Sequence, residues 1–445
     1  MVSQDENPLA GSFPLPFRVL FLVGLGILGW ATNLHGLERL GIDGPSILEL
    51  QAHNYLPLGS THPSRTKQPI ASAFYKPVYQ LFVTYASWCF GAWLLYRAAT
   101  HSNVTLVDAF GYIPGVCILN VLTILLCTLD VVQKRQRDAF LFSAERCLFA
   151  AASGPIYFSD IIFADILTSY AKVLGDVWLS LWMLLPGGSM LSIPSHEGWF
   201  QWILPSLMSL PYIIRLRQCI IEYRAPTNTS RRPLLNAIKY ASSLPVIYLS
   251  AAQRLVVTEL VEIRGEAARQ QAWHGEHPLF RLWLLAAVTN SLYSFWWDLT
   301  NDWGLEILQP RPVASSSHSP RVFVLPSLHQ KVPSVDGSLS HPDGLSRISS
   351  ATVAGHAPLA YPYGLRPVLL YPILVYPLII FLNLVLRMTW SIKLSSHLHL
   401  HSEGSAVIFW LEVAELLRRW MWVFLRIEWE VVKKGKDRED FGLVD

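Results

Sequence analysis

The sequence predicts an all-α polytopic membrane protein of about nine transmembrane helices, with a tenth if one charged stretch also crosses. Composition, the recurrence of long apolar runs and the placement of basic residues all point that way. Of 445 residues, 52% are hydrophobic and 15% charged, against about 25% charged in an ordinary soluble protein. The balance of 35 Lys and Arg against 32 Asp and Glu leaves +3, which argues against nucleic acid as a partner. The five cysteines, Cys89, Cys117, Cys127, Cys147 and Cys219, follow neither a disulfide framework nor a zinc pattern, so no metal is expected.

A helix crosses the hydrocarbon core in roughly 20 mainly apolar residues, and each predicted span is an approach to that length. The first, residues 17–33, follows Asp5 and Glu6 rather than a basic n-region, so it is expected to stay in the mature chain. Residues 78–95 and 110–129 come next. The apolar stretch 139–157 contains Glu145 and Arg146 and is expected to be interfacial or re-entrant. Residues 161–185 form a span that carries Asp165, Lys172 and Asp176, and residues 202–221 a cleaner one. Residues 237–252 open on Lys239. Residues 282–297, 367–386 and 407–425 complete the set.

Lys and Arg accumulate in cytosolic loops. With the N-terminus in the lumen, the cytosolic loops receive Arg39, Arg65, Lys67 and Lys76; Lys134, Arg135, Arg137 and Arg146; Arg224, Arg231 and Arg232; Arg311, Arg321, Lys331 and Arg347; and the tail from Lys433 to Arg438. The lumenal side receives little beyond Arg97, Arg254, Arg264 and Arg269. Asn103 then opens a lumenal glycosylation sequon, while Asn228 opens one facing the cytosol. The segment 307–365, rich in Ser, Pro and His, has no periodic apolar pattern and is expected to be a disordered cytosolic insert. Its His318, His329, His341 and His356 lack ligand spacing, and the His397, His399 and His401 trio lies in one loop, whereas a metal site draws ligands from several elements.

Ionisable residues inside a span cost about 2.5–3.5 kcal/mol each on insertion scales, so each needs a partner or a wet cavity. Here they recur in the C-terminal half: Asp165, Lys172, Asp176, Lys239, Asp298, Asp302, Arg387, Glu415, Arg418 and Arg419. Asp298 and Asp302 are four apart, Glu415 is three and four from the two arginines, and Arg387 is three from Trp390, so each set shares a helix face. A mainly cationic bundle interior follows, balanced by Asp165 and Asp298. Arginine is suited to hold a phosphate or carboxylate, because its planar fork offers parallel hydrogen bonds and stays charged when desolvated. Taken singly, Lys239 and Arg387 could instead snorkel to headgroups, and Trp202, Trp283, Trp420 and Trp429 are expected in the interfacial belt. The sequence contains no Walker A loop, GxGxxG after a strand, HExxH or nucleophile elbow, so neither an enzyme nor a cofactor is expected.

The stretch WWDLTNDWGLE at 296–306 resembles the signature of the EXS family, the membrane domain of eukaryotic phosphate exporters. FADILTSYAKVLGD (163–176), LPYIIRLRQCIIEYR (210–224), LLNAIKYASS (234–243), LRMTWSIKLS (386–395) and LEVAELLRRWMWVFLRIEWE (411–430) follow in the family's order. GWATNLHGLERLGID and SILEL extend the likeness upstream more weakly. The resemblance implies an EXS-type helical bundle over 159–445, preceded by membrane helices in 1–158. It implies a phosphate path lined by Asp165, Lys239, Tyr240, Asp298, Arg387, Trp390, Arg418 and Arg419, with Thr168, Arg215, Asp302 and Glu415 in support. Thr168 stands where the exporters usually carry Asn. The short stretch before the first span leaves no room for the SPX sensor domain of plasma-membrane members, so the chain is most similar to the SPX-less fungal branch. That branch implies a Golgi membrane protein, cycling with the ER, that returns lumenal phosphate to the cytosol. The phosphate is released as glycosyltransferases consume nucleotide sugars, and glycosylation and retention of Golgi enzymes would depend on its removal. Contacts with a Golgi coat adaptor, glycosyltransferases and a second copy of the chain are implied partners. The competing expectation is a sorting receptor or scaffold that gathers glycosyltransferases for retrograde recycling.

Overall fold

The computed structural model describes residues 11–50, 72–101, 103–149, 156–185, 187–191, 201–264, 278–305, 307, 365–366, 368–395 and 403–440. Among these the secondary structure is helical throughout. Twelve longer helices follow in order: α1 (Leu15–Arg39), α2 (Ser72–Thr100), α3 (Tyr112–Leu126), α4 (Lys134–Phe149), α5 (Phe158–Ser169), α6 (Ala171–Met183), α7 (Ile203–Arg224), α8 (Arg232–Ala241), α9 (Ser243–Arg264), α10 (Pro278–Trp297), α11 (Val375–Ser395) and α12 (Glu403–Asp440). By length and composition α1 and α2 could cross a membrane, and α3 and Val375–Met388 are shorter apolar helices.

Several expected spans take a different form. Residues 161–185 are not one rod, because the helix breaks at Tyr170 into α5 and α6. Residues 237–252 are divided at Ser242 between α8 and α9. At the start of the span expected over 367–386, residues 368–374 are not helical. Pro372 accepts from the Val375 amide at 2.9 Å, and α11 starts only at Val375. The last span lies inside α12, whose 38 residues reach about 57 Å at 1.5 Å per residue. In the stretch expected to be interfacial, α4 occupies Lys134–Phe149. The insert, apart from Ile307 and Leu365 at its ends, and the His397–His401 trio fall outside the described residues.

The α1–α2 pair is stitched by Tyr85, whose hydroxyl donates to the Leu20 carbonyl at 2.7 Å, and by Trp93, which donates to Ser12 O at 3.1 Å. Phe17, Leu20, Tyr96, Ile113 and Cys117 close the packing with α3. The open carbonyls at the end of α3 face Arg137, which is 2% exposed. Its guanidinium donates to Ile124 O, to Cys127 O (2.8 Å), to Leu129 O (3.0 Å) and to Val131 O (2.8 Å). A helix C-terminus leaves four carbonyls unpaired; one buried side chain engages Ile124 O of that last turn here, together with three carbonyls of the segment that follows it. Arg146 then ties α4 to Asp160 on α5.

The helices before and after residue 158 share one core. Leu34 and Leu37 of α1 pack with Ile162, Leu299, Trp303, Tyr376, Trp422 and Val423. A second core, formed by Met208, Tyr212, Val246, Ile247, Trp283 and Ala287, holds α7 to α10. Of the tryptophans expected in an interfacial belt, Trp202 is exposed, whereas Trp283 is 4% exposed inside this core. Trp420 donates to Thr32 Oγ1 at 2.9 Å and Trp429 packs on Gly304, so both rings join helix to helix or helix to turn within the fold.

Where α10 ends, residues Asp298–Asp302 form one π-helical turn. Trp303 N donates to Asp298 O at 2.9 Å, five residues back. Gly304 follows at φ +60, and the ring of Trp429 occupies the space where a Cβ would stand. Arg366, 2% exposed, joins the two sides of the insert. It donates to Trp303 O at 2.5 Å and pairs with Glu428 at 2.5 Å. Glu428 also accepts from Tyr376 and from Leu370 N (2.7 Å).

Candidate anion site

Between the two cores the charged residues singled out from the sequence converge. Asp298, with no exposed surface, is the hub. Its Oδ1 accepts from Lys239 Nζ at 3.0 Å, and its Oδ2 accepts from Arg387 and from Asn383 Nδ2 at 3.2 Å. Arg418 Nη1 stands 3.7 Å from the same oxygen. The π turn brings Asp302 alongside, 3.0 Å from Lys239 Nζ. An extra residue in a helical turn changes which side chains face one way; here it lets a single ammonium serve two carboxylates.

Helices α5, α7 and α8 supply the second group. Asp165 Oδ1 accepts from Arg215 Nε at 2.9 Å and from the Tyr240 hydroxyl at 2.5 Å. The Tyr240 ring lies 5.0 Å beneath the Arg215 guanidinium. Arg215 also donates to Gln218 Oε1 at 2.6 Å. A buried carboxylate is tolerable only when paired and hydrogen-bonded, and Asp165 is both.

The third group belongs to α12. Glu415 accepts both arms of Arg418, from Nε at 2.8 Å and from Nη2 at 2.6 Å, as well as the Ser169 hydroxyl at 2.8 Å. The spacings of three and four between Glu415 and the arginines make this fork possible. Arg419 differs from Arg418. Its Nε donates to Ser169 Oγ at 3.0 Å and its Nη2 to Thr168 Oγ1 at 3.0 Å, while the guanidinium lies 4.7 Å over Trp422. It has no carboxylate partner among the described residues.

These groups surround a cavity of about 40 Å³ lined by Thr168, Tyr212, Lys239, Tyr240, Ser243, Asn290, Ser291, Ser294, Arg387, Glu415, Arg418 and Arg419. One water needs about 10–15 Å³ by the same measure, so a small tetrahedral oxyanion is of the right order. Among the described residues of the network, five cations (Arg215, Lys239, Arg387, Arg418, Arg419) face four carboxylates (Asp165, Asp298, Asp302, Glu415), an excess of one positive charge. Arg387 Nε is buried without a partner among the described residues. Ammonium, guanidinium, hydroxyl and amide donors make a set for an oxyanion.

Of the residues read from the sequence, Asp165, Thr168, Arg215, Lys239, Tyr240, Asp298, Asp302, Arg387, Glu415, Arg418 and Arg419 form one network. Lys239 and Arg387 do not snorkel, since both are engaged by Asp298. Trp390 lies on α11 one turn past Arg387, and its side chain is outside the described residues. Sequence reasoning missed the neutral wall: Tyr212, Ser243, Asn290, Ser291, Ser294, Asn383 and the bridging Ser169. A signal was present, because Asn290, Ser294, Asp298 and Asp302 recur every four residues along one helix face.

Over 438 residues the chain is 26% identical to "Protein ERD1 homolog 1" of Schizosaccharomyces pombe, covering 97% of this chain and 94% of that one. "Protein ERD1 homolog 2" of the same yeast is 26% identical over 443 residues, 95% of this chain and 97% of its own. "SPX and EXS domain-containing protein 5" of Dictyostelium discoideum is 28% identical over 209 residues, 45% of this chain and 21% of its own length. Residues 13–432, which take in the whole network and the helices before it, match the family described as "EXS family", and the chain belongs to that family.

Proposed function

We propose that the chain is a transporter of inorganic phosphate that spans the membrane about nine times. It moves lumenal phosphate from the Golgi to the cytosol, with its N-terminus lumenal and C-terminus cytosolic. The observation behind this is Arg419, a buried guanidinium beside the cavity that, among the described residues, donates to two hydroxyls, lies over a ring and has no carboxylate within ion-pair distance. A buried charge without a hydrogen-bonded counter-charge is costly, and a phosphate that replaces hydroxyl partners with charge-assisted hydrogen bonds offsets that cost. The carboxylates around Lys239, Arg387 and Arg418 keep the empty cavity from repelling its own lining. Family resemblance stands behind the Golgi placement and the link to glycosylation and retention of Golgi enzymes. The test is phosphate uptake into vesicles reconstituted with the purified protein. Saturable uptake above that of protein-free vesicles is expected, and uptake equal to theirs overturns the proposal.

A second reading, a scaffold that recycles glycosyltransferases, is favoured by one feature: every carboxylate of the network already has an ion-pair partner, as a purely structural network would. Arg418→Ala separates the two. A transporter loses flux and Golgi enzyme retention together, whereas a scaffold of normal abundance keeps retention.

A further inference from the structure

A second set of buried charges lies outside the cavity. Lys172 and Asp176, four apart on α6, form an ion pair, and Lys172 Nζ is also 4.0 Å from Glu412 Oε1 on α12. Arg18 of α1 is 7% exposed, with Asp176 and Glu412 as its charged neighbours. Its Nε donates to Phe13 O at 2.7 Å. The cluster is one turn of α12 from the anion site, since Glu412 precedes Glu415 by three residues, and Lys172 follows Ser169 just across the break at Tyr170. In the proposed orientation it lies on the lumenal side.

The placement makes one polar stripe. Asp165, Thr168 and Ser169 line or brace the cavity, and Lys172, Asp176 and Ser180 continue at four-residue steps toward the end of α6. Ser180 is 1% exposed, and its hydroxyl is buried without a partner among the described residues. On either side the stripe is flanked by apolar packing of Val19, Leu22, Val173, Phe409 and Leu416. Stability does not call for such a stripe, because apolar replacements of buried ion pairs are often neutral or stabilising.

Lys172, like Lys239, stands between two carboxylates, here Asp176 on its own helix and, at 4.0 Å, Glu412 on α12. Such an ammonium can release one acceptor while keeping the other, so an incoming oxyanion can take the vacated place at limited cost. We infer that Arg18, Lys172, Asp176 and Glu412 form a second oxyanion station that relays phosphate between the lumenal end of the bundle and the central cavity. Lys172 and Arg18 are the cations that receive it, and Asp176 and Glu412 the counter-charges that it displaces. This rests on the transport reading.

The test measures phosphate flux in reconstituted vesicles and phosphate binding to the purified protein by calorimetry. Lys172→Met should lower flux at least about tenfold while binding at the central cavity stays within about twofold. Lys172→Met with Asp176→Leu removes the pair without leaving a lone buried charge. A structural pair would then be dispensable and flux would return, whereas a relay stays lost. Wild-type flux in either variant overturns the relay and leaves the transport reading standing. Absence of flux in the unaltered protein removes both. Should Lys172→Met fail to fold, the double variant decides alone.

Discussion

Arg418 and Arg419 are adjacent in the chain and do different work. Arg418 spends its fork on Glu415 and Asn383, and Arg419 rests on the hydroxyls of Ser169 and Thr168. A lysine keeps the charge at position 419 but cannot reach both hydroxyls and an anion with a planar fork. Arg419→Lys should therefore lower phosphate flux at least about tenfold at normal abundance, while Lys433→Gln, at an exposed position, should not change it. Equal flux for Arg419→Lys would reduce the arginine to a diffuse positive potential. Asp298 presents the opposite case, because one carboxylate neutralises cations from three helices. Asp298→Asn strands them, and breaking a buried pair from one side costs about 3–5 kcal/mol. Thermal unfolding of the purified protein should show that loss, and adding Lys239→Gln should recover part of it by relieving the repulsion. Strictly additive effects would mean that the two residues are not coupled.

At the scale of elements, the site depends on how α10 ends. The π turn puts Asp298 and Asp302 on one ammonium, and Gly304 turns the chain so that Trp429 can lie against it. A side chain in that left-handed conformation costs about 1–2 kcal/mol before any clash, and a Cβ would also have to displace the indole. Gly304→Ala should lower the unfolding temperature and weaken flux together; an unchanged midpoint would mean that the turn relaxes freely. Much of this site was legible in advance, because a charge inside an apolar run is conspicuous and spacings of three and four assign it a face. Residues such as Lys239 and Arg387 had an alternative in the headgroups, and only their shared partner, far away in sequence, excludes it. The neutral lining was harder to see, since Ser and Asn are ordinary in apolar helices and Asn383 gains meaning only between Asp298 and Arg418. The break at Tyr170 carries no Gly or Pro, so two helices read as one, whereas Pro245 in the first turn of α9 was a legible sign of the break at Ser242.

At the scale of the whole molecule, the proposed orientation has a direct check. Protease added outside sealed microsomes should cut the insert near Ser316, and protection there would reverse the assignment of sides. Arg366 was not conspicuous in the sequence, lying at the border of the Ser- and Pro-rich segment, with its partner Glu428 beyond the last expected span. In the fold it binds Trp303 on one side of that segment and Glu428 on α12, while Leu305 and Leu365 are buried in the same core. The covalent link between Leu305 and Leu365 is therefore not what holds the two sides together. A gene divided within the insert, encoding residues 1–312 and 358–445 as separate polypeptides, should yield halves that find each other in the membrane, co-purify and carry phosphate. Arg366→Ala should let them separate.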